Sequence, residues 1–304
     1  MKDCFLFVVF LFSVKCFSAQ VDQHYFDQSK LLKNLKVFSA DSMEGRGTGE
    51  PGGLKAQRFI QEQFSGALLL SFEKDYSHSF NYANPFRKKK IEGTNVIGWI
   101  KGFAEPEKYI IVSSHHDHLG IRNGEVYNGA DDNASGTCAL FSIIEYLTAH
   151  PPRCSFVFIA FDAEEDGLIG SKHFVRKPPI PLDQVVFNLN LDMISRSEKN
   201  EIFICGTHHY PEFKPVLNAQ DSLSVIDVVF GHDSVSSEQE DWTYSSDHGS
   251  FHRKNIPFIY LGVENHIDYH KPTDDFDQID PEFYVEAVCI SIRIAKELDA
   301  YFSP

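Results

Sequence analysis

Two adjacent glutamates, Glu164 and Glu165, follow an apolar segment that has the composition of a buried strand. The full stretch, residues 156–171, reads FVFIAFDAEEDGLIGS. Like charges at this spacing repel one another, so a cation or proton chemistry is expected among these carboxylates. Because neighbouring side chains diverge, one glutamate can bind a cation while the other reaches a water molecule on it. The alternative is a solvated pair of surface glutamates.

Further residues of metal-ligand type follow three other predicted strands and begin one predicted helix. They are His115, His116, Asp117 and His118 after YIIVSS, Asp192 in VVFNLNLDM, His266, Asp268 and His270 after IPFIYLGV, and Asp131 and Asp132 in NGADDNASG. In sheets built from alternating strands and helices, functional groups collect beyond the carboxyl ends of the strands. These side chains are therefore expected to meet at one edge of a sheet.

The His115-x-Asp117 pair fits a metal site, because a ligating imidazole usually has its ring oriented by a carboxylate. A hydrogen-bonded pair without metal is the alternative. His116 and His118 are interpreted as non-ligands that face elsewhere. Asp192 interrupts an apolar run, and a buried aspartate without a partner would be costly.

Asp131 and Asp132 precede a predicted helix, so helix capping is the alternative to metal binding for them. His270 is followed by an acidic loop whose aspartates are interpreted as solvated turn residues, with a calcium-binding loop as the weaker alternative. These aspartates are Asp274, Asp275, Asp277 and Asp280.

Hydrophobic periodicity predicts the elements that position these residues. The predicted strands are NVIGWIKG, YIIVSSH, SFVFIAFD, VVFNLNLDM, EIFICG and IPFIYLGV. The predicted helices are residues 27–40, LKAQRFIQEQF, SGTCALFSIIEYLTA and residues 281–302. Continuous apolar strands separated by helices indicate a sheet covered on both faces. The predicted fold class is α/β, a single three-layer α/β/α domain with a mixed, mostly parallel central sheet, in which residues 206–250 form a loop excursion or lid.

The composition is that of a globular protein, with 42% hydrophobic and 23% charged residues among 304. A formal net charge of -15 disfavours nucleic acid and anionic membrane surfaces as partners. Among the cysteines, Cys138 and Cys289 fall in helical patterns and are expected to be buried thiols. One disulfide is compatible with export, but the sequence does not pair it.

The N-terminus, MKDCFLFVVFLFSVKCFSAQ, has the layout of a cleaved secretory signal. Its apolar run is too short for a membrane-spanning helix. The expected organisation is a signal peptide over residues 1–19 and one domain over residues 20–304, with a periplasmic or extracellular mature protein. The alternatives are a buried N-terminal element and a lipid anchor at Cys16.

The order His-x-Asp, GADDNASG, AEEDGLIGS, LNLDM and DYH-x-P resembles that of the zinc aminopeptidases of the M28 metallopeptidase family, of the secreted bacterial type. The resemblance extends from Phe38 to the C-terminus and includes DSMEGRGTGEPGG and SDHGSFHRKNIPFIYLG. It implies a zinc-exopeptidase-like fold. The protease-associated insertion of some relatives is not expected, since NVIGWIKG leads directly into the first histidine strand.

The resemblance also implies roles for individual residues. Asp132 would bridge two zinc ions. His115 and Asp192 would be the other ligands of one ion, and Glu165 and His270 those of the other. Glu164 would be the general base, and Asp117 would orient His115. Asp247, His248 and Tyr244 would contact the substrate, while Arg46 falls in a family-like stretch without a firm role.

This ligand set implies hydrolysis of the N-terminal residue from peptides that have a free N-terminus. Paired zinc ions can share one carboxylate and lower the pKa of a water held between them, whose proton Glu164 would take. A glutaminyl cyclase would use a single zinc, and a dipeptidase or carboxypeptidase would need a basic pocket, whereas residues 206–250 offer only Lys214 as a fixed cation. A metal-free binding protein would have lost a ligand or the base, and none is lost.

Sequencing the N-terminus of exported protein tests the predicted signal. We expect the mature chain to begin near Ser18 to Gln20, because small residues follow the apolar run there. Exported protein that retains Met1 would contradict this prediction.

Overall fold

The computed structural model describes residues 25–84, 89–234 and 240–304. The predicted signal segment and Cys16 lie outside the described residues. No helix within the described ranges is both long and apolar enough to cross a membrane.

A mixed sheet forms the centre of the molecule. The strands are β1 (Ser77–Asn84), β2 (Lys89–Ile100), β3 (Glu105–His115), β4 (Gly120–Arg122), β5 (Glu125–Tyr127), β6 (Cys154–Phe161), β7 (Val185–Leu191), β8 (Glu201–Cys205), β9 (Asp227–Phe230) and β10 (Phe258–Gly262). The main sheet has the strand order β1-β2-β6-β3-β7-β10-β8-β9, and β4 pairs with β5 in a separate hairpin.

The four central strands β6, β3, β7 and β10 run parallel to one another. Antiparallel pairs occur toward the edges, where β1 pairs with β2, β2 with β6, and β8 with β10. The predicted mixed, mostly parallel sheet is therefore confirmed. Because the central strands are parallel, their carboxyl ends open on one edge of the sheet, where the candidate site residues follow them.

Helices cover both faces of this sheet. They are α1 (Gln28–Phe38), α2 (Pro51–Gly66), α3 (Gly136–Ala149), α4 (Ile169–Phe174), α5 (Lys214–Leu217), α6 (Ala219–Leu223), α7 (His248–His252) and α8 (Pro281–Phe302). One face packs against α2, α3 and α8, with α1 packed on α3, and the other face packs against α4 and α7. The predicted three-layer arrangement is confirmed.

The alternation of side chains along β3 shows why both faces need a cover. Ile110 and Val112 belong to the larger core beneath α3 and α8, whereas Tyr109 and Ile111 belong to the smaller core beneath α4 and α7. Successive side chains of a strand point to opposite faces, so a continuous apolar run requires apolar neighbours on each side. Burying each such side chain contributes about 1.5–3 kcal/mol.

Two strands of the main sheet, and the short hairpin strands β4 and β5, were not predicted from the sequence. The segment that forms β1, SHSFNYAN, is mostly polar, and it is an edge strand paired on one side only. The short strand β9 lies inside residues 206–250 and pairs with β8 at the opposite edge. Residues 206–250 were expected to form a loop excursion or lid. Because β9 is part of the main sheet, this expectation now applies only to the other residues of the segment.

The four cysteines of the described chain, Cys138, Cys154, Cys205 and Cys289, are buried. The expectation for Cys138 and Cys289 is confirmed, and none of the four is paired in a disulfide.

The last helix, α8, begins at a side-chain cap. The carboxylate of Asp280 accepts the backbone N–H of Glu282 at 3.0 Å and of Phe283 at 3.1 Å. Asp280 is exposed, as expected for the acidic loop, but it caps a helix that carries much of the larger core.

Replacing this cap should destabilise the fold measurably. We expect Asp280→Ala to lower the free energy of unfolding by about 1 kcal/mol, since two helix N–H groups lose their acceptor. Urea denaturation measures the change, with Asp277→Ala as the control because Asp277 is exposed in the same loop. Equal losses in both variants would contradict a capping role.

Candidate metal centre

A first group of three potential ligands forms at the ends of two parallel strands. His115 is the last residue of β3, and Asp192 directly follows β7. The Nε2 atom of His115 lies 3.2 Å from Asp192 Oδ1 and 3.3 Å from Asp132 Oδ1. All three side chains are buried, and their ligand atoms lie within 4.8 Å of one another. This group could hold one metal ion.

A second group shares Asp132 with the first. The other oxygen of its carboxylate, Oδ2, lies 3.1 Å from His270 Nε2, which is also 3.4 Å from Glu165 Oε2. The two oxygens of Asp132 thus face different imidazoles. The structure brings together all five residues predicted as ligands, in the two predicted groups.

His118 also reaches the second group, contrary to the expectation that it faces elsewhere. Its Nδ1 atom lies 2.8 Å from Glu165 Oε1 and 3.8 Å from Asp132 Oδ2. His116 does face elsewhere, since its Nε2 donates to the carbonyl of Thr94. The sequence offers no signal that separates the two histidines, because both follow the same strand end.

The charges of this centre are strongly perturbed. Burial raises the pKa of Glu164 well above its usual range and also raises the pKa of Asp192. Burial would raise the pKa of Asp132 too, but the imidazoles of His115 and His270 hold it well below its usual range. Carboxylates crowded in a buried site are stable as anions only beside positive charge. Cations between the two groups would supply that charge, so the residues present fit a pair of metal ions.

Asp117 connects the first histidine to the glutamate pair. Its carboxylate accepts the backbone N–H of Glu164 at 3.0 Å and of Glu165 at 3.3 Å. The Nδ1 of His115 donates to the backbone carbonyl of Asp117 at 3.1 Å, whereas the carboxylate lies 3.9 Å away. The imidazole is therefore oriented by the main chain of Asp117, and the carboxylate holds the turn that carries both glutamates.

The turn that presents Asp132 is held by two further aspartates. Asp274 is fully buried and accepts the backbone N–H groups of Asp131 and Asp132 at 3.1–3.2 Å, so its interpretation as a solvated turn residue was wrong. Asp131 does not cap α3. It accepts hydrogen bonds from the N–H and hydroxyl of Ser195 at 2.7 Å and from His266 Nε2 at 3.1 Å.

Arg46 forms hydrogen bonds with several of the loops that surround the centre. Its guanidinium is fully buried and donates to the backbone carbonyls of Phe38, His116, Asn128 and Gly129. Burial lowers its pKa to about 10, which leaves it charged at neutral pH. Arg46 therefore joins the loop that directly follows His115, at the end of β3, to the turn that carries Asp132.

A cleft of about 400 Å³ opens over both groups. Its walls are largely aromatic and aliphatic, formed by Trp242, Tyr244, Tyr260, Tyr269, Leu168, Met193 and Val263, with Glu164 and Glu240 as acids. Tyr244, expected to contact substrate, lines this cleft. The expectation that Asp247 and His248 contact substrate is corrected, because both are fully buried at the start of α7 and do not line the cleft.

These two buried residues have other surroundings. The Nε2 of His248 donates to the carbonyl of Trp242, and burial lowers its pKa to about 3, so it is a neutral structural residue. Burial raises the pKa of Asp247 to about 7, and its negative charge in turn raises the pKa of Glu164. Asp247 therefore acts on the centre through its charge from behind the cleft.

Comparisons with known proteins agree with this geometry. The family model of peptidase family M28 matches residues 95–292. A glutamate carboxypeptidase 2 homolog from Caenorhabditis elegans is 34% identical over 154 residues, which are 48% of this chain and 19% of that relative. Aminopeptidase YwaD from Bacillus subtilis (strain 168) is 30% identical over 182 residues, which are 57% of this chain and 37% of that relative. The match therefore spans less than half of either relative.

Solved structures share the fold at low identity. A glutaminyl cyclase from Porphyromonas gingivalis superposes with a TM-score of 0.74 at 15% identity, covering 90% of this chain and 99% of that one. BSAP, a zinc aminopeptidase from Bacillus subtilis, superposes with a TM-score of 0.68 at 16% identity, covering 90% of this chain and 95% of that one. These structures have the same α/β architecture as this chain.

The buried contact between Asp274 and the Asp132 turn predicts an effect on metal affinity. We expect Asp274→Ala to weaken zinc binding by about 10–100-fold, because outer partners that orient ligands have effects of this size. Competition with a chromophoric chelator measures the affinity. Asp277→Ala is the control, and an Asp274 variant that binds zinc as tightly as this control would contradict the role.

Proposed function

This chain belongs to peptidase family M28, and from that premise we propose that it is a di-zinc aminopeptidase that removes N-terminal residues from peptides. The observation that carries the proposal is the position of Asp132, whose two carboxylate oxygens face His115 and His270 at 3.3 and 3.1 Å. A carboxylate in this position suits the bridge between two metal ions. We propose His115 and Asp192 as the remaining ligands of one ion, and Glu165 and His270 as those of the other.

The donor set of imidazoles and carboxylates fits zinc. When bound, a pair of zinc ions lowers the pKa of water and polarises a peptide carbonyl. The residues of the two groups would hold the ions and leave the cleft side of the centre accessible to the substrate, since both groups line the cleft.

Glu164 is proposed as the general base and acid. Its side chain lines the cleft wall, and its backbone N–H donates a hydrogen bond to the Asp117 carboxylate. Burial and the neighbouring carboxylates Glu165 and Asp247 favour its protonated form, so it holds a proton more readily than an ordinary glutamate. It would accept a proton from the attacking water and deliver it to the leaving amine.

The charge of the cleft favours a free N-terminus over a C-terminal carboxylate. Among the described residues that line the cleft there is no lysine or arginine, whereas a pocket for a terminal carboxylate needs such a partner. Glu240 instead provides a carboxylate at the cleft wall for an ammonium group. This distinguishes the proposal from a carboxypeptidase or dipeptidase, although a glutamate carboxypeptidase homolog is among the relatives.

A glutaminyl cyclase is the second candidate, because a structure of that name shares the fold over almost its full length. The complete second group around Asp132 favours hydrolysis by two metals over a single-zinc reaction. Ammonia release from a peptide with N-terminal glutamine would identify a cyclase.

We further propose that residues 20–304 form one catalytic domain, exported after removal of residues 1–19, which would place the activity in the periplasm or outside the cell. Lipid attachment at Cys16 is the alternative route.

Cleavage of a panel of aminoacyl-fluorophore substrates tests the proposed activity. We expect release that is abolished by a chelator and restored by zinc, because the ligands rather than the fold create the reactive centre. Release from peptides with a blocked N-terminus, or none from any free-amine substrate by zinc-loaded protein, would contradict the proposal.

Replacing the proposed base separates catalysis from metal binding. We expect Glu164→Gln to lower kcat by about 10²–10⁴-fold, the usual contribution of a general base, while both zinc ions remain bound. Asp166→Asn is the matched control in the same turn, since Asp166 bonds to Tyr82 and does not line the cleft. Near-normal turnover of the glutamine variant would remove Glu164 from this role.

A further inference from the structure

We propose that His118 is an additional ligand of the metal ion held by Asp132, Glu165 and His270, so that this ion has two imidazoles and the other has one. The inference rests on the proposed two-metal centre but not on the aminopeptidase activity.

The first observation is that the His118 side chain is fully buried without hydrogen bonds. Its side chain has no exposed surface, and neither of its ring nitrogens has a hydrogen-bond partner among the described residues. A buried polar group without a partner is costly, and native proteins rarely leave one in this state. A metal bond from Nδ1 would give this imidazole the partner it otherwise lacks.

The second observation is the contact between His118 and Glu165. Nδ1 lies 2.8 Å from Oε1, yet that oxygen also has no hydrogen-bond partner, so the contact lacks hydrogen-bond geometry. A cation placed between the imidazole and the carboxylate would attract both atoms and satisfy them together. Asp132 Oδ2, at 3.8 Å from Nδ1, completes a set whose ligand atoms lie within 4.8 Å of one another.

The third observation is that the neighbouring backbone leaves space for the imidazole. Gly129 has a φ of +52°, and a Cβ atom at this position would lie 2.5 Å from Cδ2 of His118. Any larger residue would collide with the ring, so the turn before Asp132 packs flat against it. The ring is thereby held between this turn and Glu165.

His116 shows that burial in this loop does not by itself require a metal. It is as buried as His118, but its Nε2 has an ordinary acceptor in the carbonyl of Thr94 at 3.2 Å. Of these two histidines, His118 alone has both nitrogens unpartnered and lies close to two carboxylates of the centre.

The extra ligand makes the two metal positions unequal. The position with His118 has four protein ligands, as in closed structural zinc sites, whereas the position with His115 and Asp192 has three, as in catalytic sites that keep an open place. We therefore expect the first equivalent of metal to enter the four-ligand position.

The experiment compares zinc binding by His118→Asn and by the control His116→Asn. Asparagine is a polar side chain that can donate a hydrogen bond to Glu165 but is a poor zinc ligand, so it separates loss of a metal ligand from loss of a polar contact. We expect the tighter of the two zinc dissociation constants to rise at least about tenfold in His118→Asn, with the control unchanged. Unchanged zinc binding by His118→Asn would overturn the proposal.

A second measurement uses the unaltered protein and does not depend on how the variants fold. In the fully cobalt-substituted protein, proton NMR should show three strongly shifted exchangeable imidazole N–H signals, from His115, His118 and His270. Two such signals would overturn the proposal. Neither measurement uses peptide hydrolysis. A protein that binds two metals but is inactive would contradict the proposed activity, whereas the zinc affinities and the NMR signals would still test the assignment of His118.

Discussion

The position of the Asp132 carboxylate between two imidazoles is the constraint on which the rest of this centre depends. Each oxygen of this buried carboxylate is within 3.3 Å of a different histidine nitrogen, one at the end of a strand and one in a distant loop. Around it lie Asp192 and Glu165, whose burial is costly for anions. The surrounding loops serve to keep these charges in place until cations neutralise them.

The parallel centre of the sheet makes this convergence possible. His115, the glutamate pair and Asp192 follow three neighbouring strands, so the backbone delivers them to one edge without long loops. His270 arrives from the loop after β10, and Asp274 in the same loop binds the main chain of the Asp132 turn. Movement of this loop would therefore affect a ligand and the shared carboxylate together.

The sequence predicted the fold and the meeting of ligand-type residues at one sheet edge because both depend on local patterns. Long apolar strands and amphipathic helices have strong periodicity, and ligand-type residues at strand ends stand out against apolar surroundings. The polar edge strand β1 and the short β9 escaped prediction, since edge strands lack a continuous apolar run. Their pairing depends on neighbours that are distant in the sequence.

The surroundings of the ligands could not be predicted in the same way. Asp274 has the same local sequence context as exposed Asp277, and His118 the same as His116, so only the three-dimensional packing separates them. Asp247 and His248 were expected at the cleft because they fall in a family-like stretch, but that stretch forms α7 and packs behind the cleft. Arg46 binds only backbone carbonyls, which no residue pattern specifies.

The proposed activity rests on the ligand groups and on the charge of the cleft wall rather than on the fold. The ligand groups determine whether hydrolysis by two metals is possible, whereas the charge of the wall determines which end of a peptide enters. Here the complete ligand groups and the lack of lysine or arginine among the described lining residues favour an N-terminal substrate. Neither property follows from the fold alone.

The central claim is that two metal ions share Asp132. An anomalous difference map recorded at the zinc edge, from crystals of the protein loaded with zinc, tests it most directly. The account predicts two peaks, one on each side of the Asp132 carboxylate, the first beside His115 and Asp192 and the second beside Glu165 and His270. A single peak, or peaks away from Asp132, would contradict it.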